Sequence, residues 1–265
     1  ENAWDIQTNE MTIAIAQGGQ WGEQNARNIN WDIKNTSELT NNGVFYANQM
    51  ITRTENSNIY NQGEFYVQEL TTKNLSRIEN NKIFTAGKME LNNPELVNEE
   101  NAVLSAQTLI TGAGTVLNKH KITATTIQFD GTQVNNQCRI EAQEVKFTGG
   151  SYEQASYTSL SSDKMYITGA KITLNGYSLI SAKEQTTFPS RLSTISGNGA
   201  DFAVLNAGEF LWASSGLHVK FSGNLEINCN KFKGNPPYNP YYTLSGSAYF
   251  SQDGSSVKIP AGDCT

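Results

Sequence analysis

Charge is scarce in this chain of 265 residues: Asp, Glu, Lys and Arg together supply 17%, with a net charge of −6 and a pI near 5.1. No basic stripe is available to follow a phosphate backbone, so nucleic acid is not an expected partner. Histidine occurs only as His120 and His218, and no grouping of His, Cys, Asp and Glu has the spacing of a metal site. Neither a metal nor another cofactor is therefore expected. A glycine-rich phosphate loop and a nucleophile elbow are both missing. No apolar run approaches the roughly eighteen residues of a membrane-spanning helix, so a transmembrane helix is not expected. The opening residues ENAWDIQTNE do not spell a signal peptide, so an exported protein of this sequence is expected to be a mature fragment. The three cysteines allow at most one internal pair. Cys229 and Cys264 are the candidates, and their bridge would fit an oxidising compartment.

What the chain has in quantity is asparagine, 30 residues of it, together with 10% aromatic residues. That combination, with a strand periodicity, fits a long exported all-β protein better than a disordered one. The asparagines lie in a repeat. Six windows share one spelling: LTNNGVFYANQM (39–50), IYNQGEFYVQEL (59–70), IENNKIFTAGKM (78–89), NEENAVLSAQTL (98–109), VLNKHKITATTI (116–127) and VNNQCRIEAQEV (134–145). Their last residues, Met50, Leu70, Met89, Leu109, Ile127 and Val145, are separated by steps of 20, 19, 20, 18 and 18. A fixed period of this length marks a stacked-repeat architecture.

Within each window the apolar residues alternate: Phe45 and Ala47, Phe65 and Val67, Phe84 and Ala86, Leu104 and Ala106, Ile122 and Ala124, Ile140 and Ala142. Alternation means a strand with one face buried. Asn41, Asn61, Asn80, Asn118 and Asn136 precede these pairs, where a corner needs residues that bond their own backbone or accept left-handed dihedrals. A unit of 18–20 residues cannot bury its apolar face alone, so neighbouring units must stack. The predicted fold is an all-β, single-stranded parallel β-helix, or β-solenoid, with Phe, Leu and Ile in internal ladders and Asn stacked at a corner. Cys138 falls at the corner position held elsewhere by Gly43, Gly63, Lys82, Ala102 and His120.

Three segments follow from this spelling. Residues 1–38 form an N-terminal cap whose Trp4, Trp21 and Trp31 cover the open end of the core, although a saccharide platform is the other reading of those rings. The solenoid runs over 39–228, with an excursion through GGSYEQASYTSLSSDK (149–164). Residues 229–265 are a C-terminal cap or junction, because Pro236, Pro237 and Pro240 exclude a central strand there.

The outward residue between the two buried ones gives a column of Tyr46, Tyr66, Thr85, Ser105, Thr123 and Glu141. Such a column is either a solvated sheet face or, through its tyrosines, a surface for a glycan or protein partner. Tyr238, Tyr241 and Tyr242 in the Pro/Tyr segment are the other binding candidates. No catalytic residue is assigned: His120 sits at a corner position shared by unrelated residue types, and Asp130, Asp163, Glu184 and Asp201 show no common offset. The alternative to a non-catalytic module is a carbohydrate-active enzyme of the β-helix type, a polysaccharide lyase or glycoside hydrolase, which would need paired carboxylates on one exposed face.

The windows LTNNGVFYANQM, IYNQGEFYVQEL and VNNQCRIEAQEV resemble the Asn-rich coils of Bacteroidetes cell-surface proteins with an LruC-type domain, and more loosely filamentous haemagglutinin repeats. The resemblance covers about residues 39–188. It implies a β-solenoid exported to the outer cell surface, with a structural or adhesive role, and it carries no catalytic residue across.

Overall fold

The computed structural model describes residues 4–22, 29–52, 56–73, 76–189, 193–212, 217–234, 242–245 and 248–251. Among these residues there is no helix, and parallel strands stack as a β-solenoid of about eight turns. The backbone divides into two compact units, Glu1–Thr126 and Ile127–Cys264.

One turn of the first unit shows how the sequence builds the coil. The strand Asn56–Asn61 buries Ser57, Ile59 and Asn61, and the strand Glu64–Thr72 buries Phe65, Val67, Leu70 and Thr72. The alternation slips once, because Gln68 and Glu69 both face outward between Val67 and Leu70. Two consecutive outward residues turn the long strand through a corner, so each turn has three buried sides. The next turn repeats the arrangement with Ser76–Asn80 and Ile83–Leu91, in register from Glu64↔Ile83 to Thr72↔Leu91.

That register aligns like with like. Phe45, Phe65 and Phe84 are fully buried and stack with ring centroids 4.5 and 4.4 Å apart. Trp21 heads the column, stacked on Phe45 at 5.1 Å and tilted against the buried Trp31 at 5.2 Å. Rings in parallel strands about 4.8 Å apart lie at the spacing aromatic stacking prefers, which adds to the burial of each ring. The parallel ladder already runs through the stretch read as an N-terminal cap: Trp4–Ile15 pairs with Ile29–Asn41, from Trp4↔Ile29 to Ile15↔Asn41.

The corner asparagines form a second column, entirely buried. Asn41 Nδ2 donates to Asn61 Oδ1 at 2.8 Å, Asn61 to Asn80 at 2.8 Å, Asn80 to Asn98 at 2.9 Å and Asn98 to Asn118 at 2.9 Å. The second amide hydrogen goes to a backbone carbonyl of the following turn: Glu64, Ile83, Val103 and Lys121 in order. The N–H of Gly43, Gly63 and Lys82 donates back to the side-chain oxygen two residues earlier. A buried amide with all its bonds made adds stability where an unpaired one would cost it. Gly63 fits this corner because a Cβ there would stand 2.1 Å from the Gly43 carbonyl oxygen.

The second unit continues the same grammar with other residues. The stretch 149–164 is a turn of the coil rather than an excursion from it. Its strands Ser151–Gln154 and Ser159–Thr168 pair with Thr132–Asn136 and Arg139–Thr148 on one side, and with Lys171–Asn175 and Leu179–Phe188 on the other. Asn136 Nδ2 donates to Gln154 Oε1 at 3.2 Å and to the Ser159 carbonyl at 3.1 Å, while Leu174 occupies the next place in register. The amide column therefore stops at Gln154. Ser193–Trp212 and Leu217–Gly234 pair from Ser193↔Leu217 to Trp212↔Gly234, beyond residue 228. Tyr242–Ser245 and Ala248–Ser251 add to Leu217–Gly234 inside the stretch read as a C-terminal cap.

Cys138 is buried at its corner, as its window position predicts, and it is disulfide-bonded. The expected bridge between Cys229 and Cys264 falls outside what the structure describes. Cys264 itself lies outside the described residues, as does the side chain of Cys229.

Candidate functional surface

The outward column of the first unit is continuous in register. Tyr46 pairs with Tyr66, Tyr66 with Thr85 and Thr85 with Ser105, and the Ser105 and Thr123 hydroxyls stand 3.0 Å apart. Four strand steps of about 4.8 Å make this a strip about 19 Å long. The Tyr46 and Tyr66 rings are stacked, centroids 5.0 Å apart and planes 13° from parallel. The Tyr66 hydroxyl donates to Glu64 Oε2 at 2.9 Å. Burial, then the Glu64 hydrogen bond and charge, push the Tyr66 phenol up to about 12. Beside it runs a parallel column of half-buried Val44, Glu64, Ile83 and Val103. The strip therefore changes along its length from aromatic to hydroxyl-bearing.

The remaining sequence candidates separate from this strip. Glu141, in the second unit, pairs with Ser161 in register and lies 3.6 Å from Arg139. Tyr238 and Tyr241 lie outside the described residues, and Tyr242 opens the strand Tyr242–Ser245, its side chain undescribed. Among the acids considered for catalysis, Asp130 Oδ2 accepts from Gln128 at 2.6 Å and Glu184 pairs with Lys164 at 3.5 Å. Other outward charges are also matched locally, as in Lys88–Glu90 at 2.7 Å and Lys119–Glu99 at 2.7 Å. Among the described residues no group of three metal-binding side chains comes together, and no helix is long and apolar enough to cross a membrane.

A second aromatic pair lies apart from the strip. Tyr157 and Tyr177 stack at 5.0 Å in the second unit, and Tyr157 is 57% exposed. Both have positive φ, 61° and 56°. The signal available in sequence is the recurrence of a small residue, Tyr and a hydroxyl residue in SYT and GYS, twenty positions apart.

Comparison with family models, with curated proteins and with solved structures finds no match. The fold defines a repeat protein of the β-solenoid class, with outward columns set by its register.

Proposed function

We propose that this chain is a non-catalytic structural and adhesive module, exported to the outer cell surface, that holds a glycan or protein partner against its outward columns. One observation carries the reading: the Tyr46–Tyr66 stack and the Thr85, Ser105 and Thr123 hydroxyls lie in register on one face. Such a face offers ring surface and hydroxyl groups at fixed intervals, and many weak contacts along a rigid strip sum to a useful affinity. The amide and phenylalanine columns beneath it supply the rigidity. The likeness of the windows to Asn-rich bacterial surface coils supports the same reading.

A glycan-array screen on the purified chain, run beside a Tyr46→Ala/Tyr66→Ala double variant, tests the surface. Specific binding that disappears in the double variant upholds it. Binding that survives the double variant moves the site elsewhere, and a blank array removes the glycan reading and leaves a protein partner to be sought. Protease shaving of intact source cells tests the location: a protected protein is not at the surface.

A further inference from the structure

The corner occupied by Tyr157 and Tyr177 is built for something other than the turn itself. In the preceding turn only Gln137 and Cys138 separate the paired positions Asn136 and Arg139. In the next two turns four residues, 155–158 and 175–178, fill the same interval. Tyr is third of the four both times. The first unit contains the same device at 99–102, between Asn98 and Val103, where the third residue is Asn101 with φ 65°. The fourth residue is buried in all three: Ala102, Thr158 and Ser178.

Asparagine is the non-glycine residue that accepts left-handed dihedrals most readily, and a tyrosine there is a true conformational outlier. Two tyrosines hold the strained position in consecutive turns, where Asn101 shows that asparagine makes the same corner. Backbone strain of this kind persists at sites where the side chain is used. Tyr157 keeps 57% of its surface exposed. On the outside of the same two turns, Asn175 Nδ2 donates to Glu153 Oε1 at 3.3 Å, an exposed amide and carboxylate.

We propose that Tyr157 and Tyr177 form an aromatic ledge that binds a neutral pyranose ring of a glycan. The apolar C–H face of the sugar lies on the exposed ring, and its hydroxyls exchange hydrogen bonds with the Glu153 carboxylate and the Asn175 amide. With one ring stacked on the other, the exposed Tyr157 ring offers a single flat surface rather than a cage, which suits a flat sugar better than a quaternary ammonium group. The ledge is independent of the Tyr46–Tyr66 strip, although it deepens the reading of the chain as a glycan-holding module.

The test is saturation-transfer NMR and titration of the full chain with soluble glucose, mannose and N-acetylglucosamine oligosaccharides. The wild type is compared with Tyr157→Asn/Tyr177→Asn and with Tyr46→Ala/Tyr66→Ala. Asparagine keeps the corner, as Asn101 does, so the first variant is expected to fold with undiminished thermal stability. It is also expected to lose at least about tenfold in affinity, the loss of roughly one stacking contact, with saccharide contacts seen on tyrosine ring protons of the wild type. Binding lost only in the Tyr46→Ala/Tyr66→Ala variant overturns the ledge and leaves the strip standing. Loss of stability in Tyr157→Asn/Tyr177→Asn with binding intact makes the pair structural and also overturns it. The same holds if none of the three sugars binds, or if a proline-rich peptide binds these rings in their place.

Discussion

Asn80 sits in the middle of the amide column, and removing its side chain measures what that column is worth. The group is fully buried and makes four hydrogen bonds. It donates to Asn98 Oδ1 at 2.9 Å and to the Val103 carbonyl at 3.1 Å, and it accepts from Asn61 Nδ2 at 2.8 Å and the Lys82 N–H at 3.3 Å. At about 1 kcal/mol net for each bond, Asn80→Ala is expected to cost about 4 kcal/mol, with orphaned partners inside the coil keeping the loss from falling lower. Asn41 begins the column, since its partner in the preceding strand is Ile15, and it makes three such bonds. Asn41→Ala should therefore cost about 3 kcal/mol on the same scale. Asn81, next to Asn80, bonds only outward to Glu79 Oε1 at 3.2 Å, and its alanine variant should stay within about 0.5 kcal/mol of wild type. Equilibrium urea unfolding followed by circular dichroism gives all three values, with the slope m checked because stacked repeats can lose cooperativity. A loss below about 1 kcal/mol for Asn80→Ala, or one equal to that of Asn81→Ala, would refute the claim that the column holds the turns together.

Phe65, at the centre of the Phe45–Phe65–Phe84 stack and fully buried, should cost about 3–5 kcal/mol as alanine and distinctly less as leucine, read in the same denaturation assay. The folded chain holds the Tyr66 proton more tightly than an unfolded one, since its phenol is raised from 10 to about 12. That contribution is complete below pH 10 and is lost as pH rises towards 12. An ultraviolet titration of wild type minus Tyr66→Phe should show one phenol ionising in that upper range, and Glu64→Gln should bring it part of the way down. Peptide mapping without reductant should find Cys138 in a mixed peptide; an alkylated Cys138 beside a Cys229–Cys264 peptide would show that the bridge lies between the two C-terminal cysteines instead.

The period was legible because the coil aligns chemically equal residues, and a ladder of Phe or Asn writes itself into the chain every 18–20 positions. The third side of each turn was not, because pairs such as Gln68 and Glu69 interrupt the alternation without any turn residue to announce it. Asn98 belongs to the amide column yet hides in its window, since the corner after it is longer and places Val103 five residues on instead of three. The stretch 149–164 reads as an excursion for a related reason: its short strand has four residues, and Gln154 and Leu160 stand where Asn and Phe stand in the clearest windows. Tyr157 and Tyr177 do not stand out in the sequence because a left-handed dihedral is a property of the backbone, which composition does not report.

The amide column in the first unit also has a direction. Every asparagine from Asn41 to Asn98 gives a hydrogen to the turn that follows, so each turn presents one acceptor upstream and one donor downstream. A turn duplicated by recombination inherits both ends of that connection and slots between its parents without an unmatched group. Chain length in such a protein is consequently free to drift by whole turns, and the spacing between whatever stands at its two ends can be selected without redesigning anything between them.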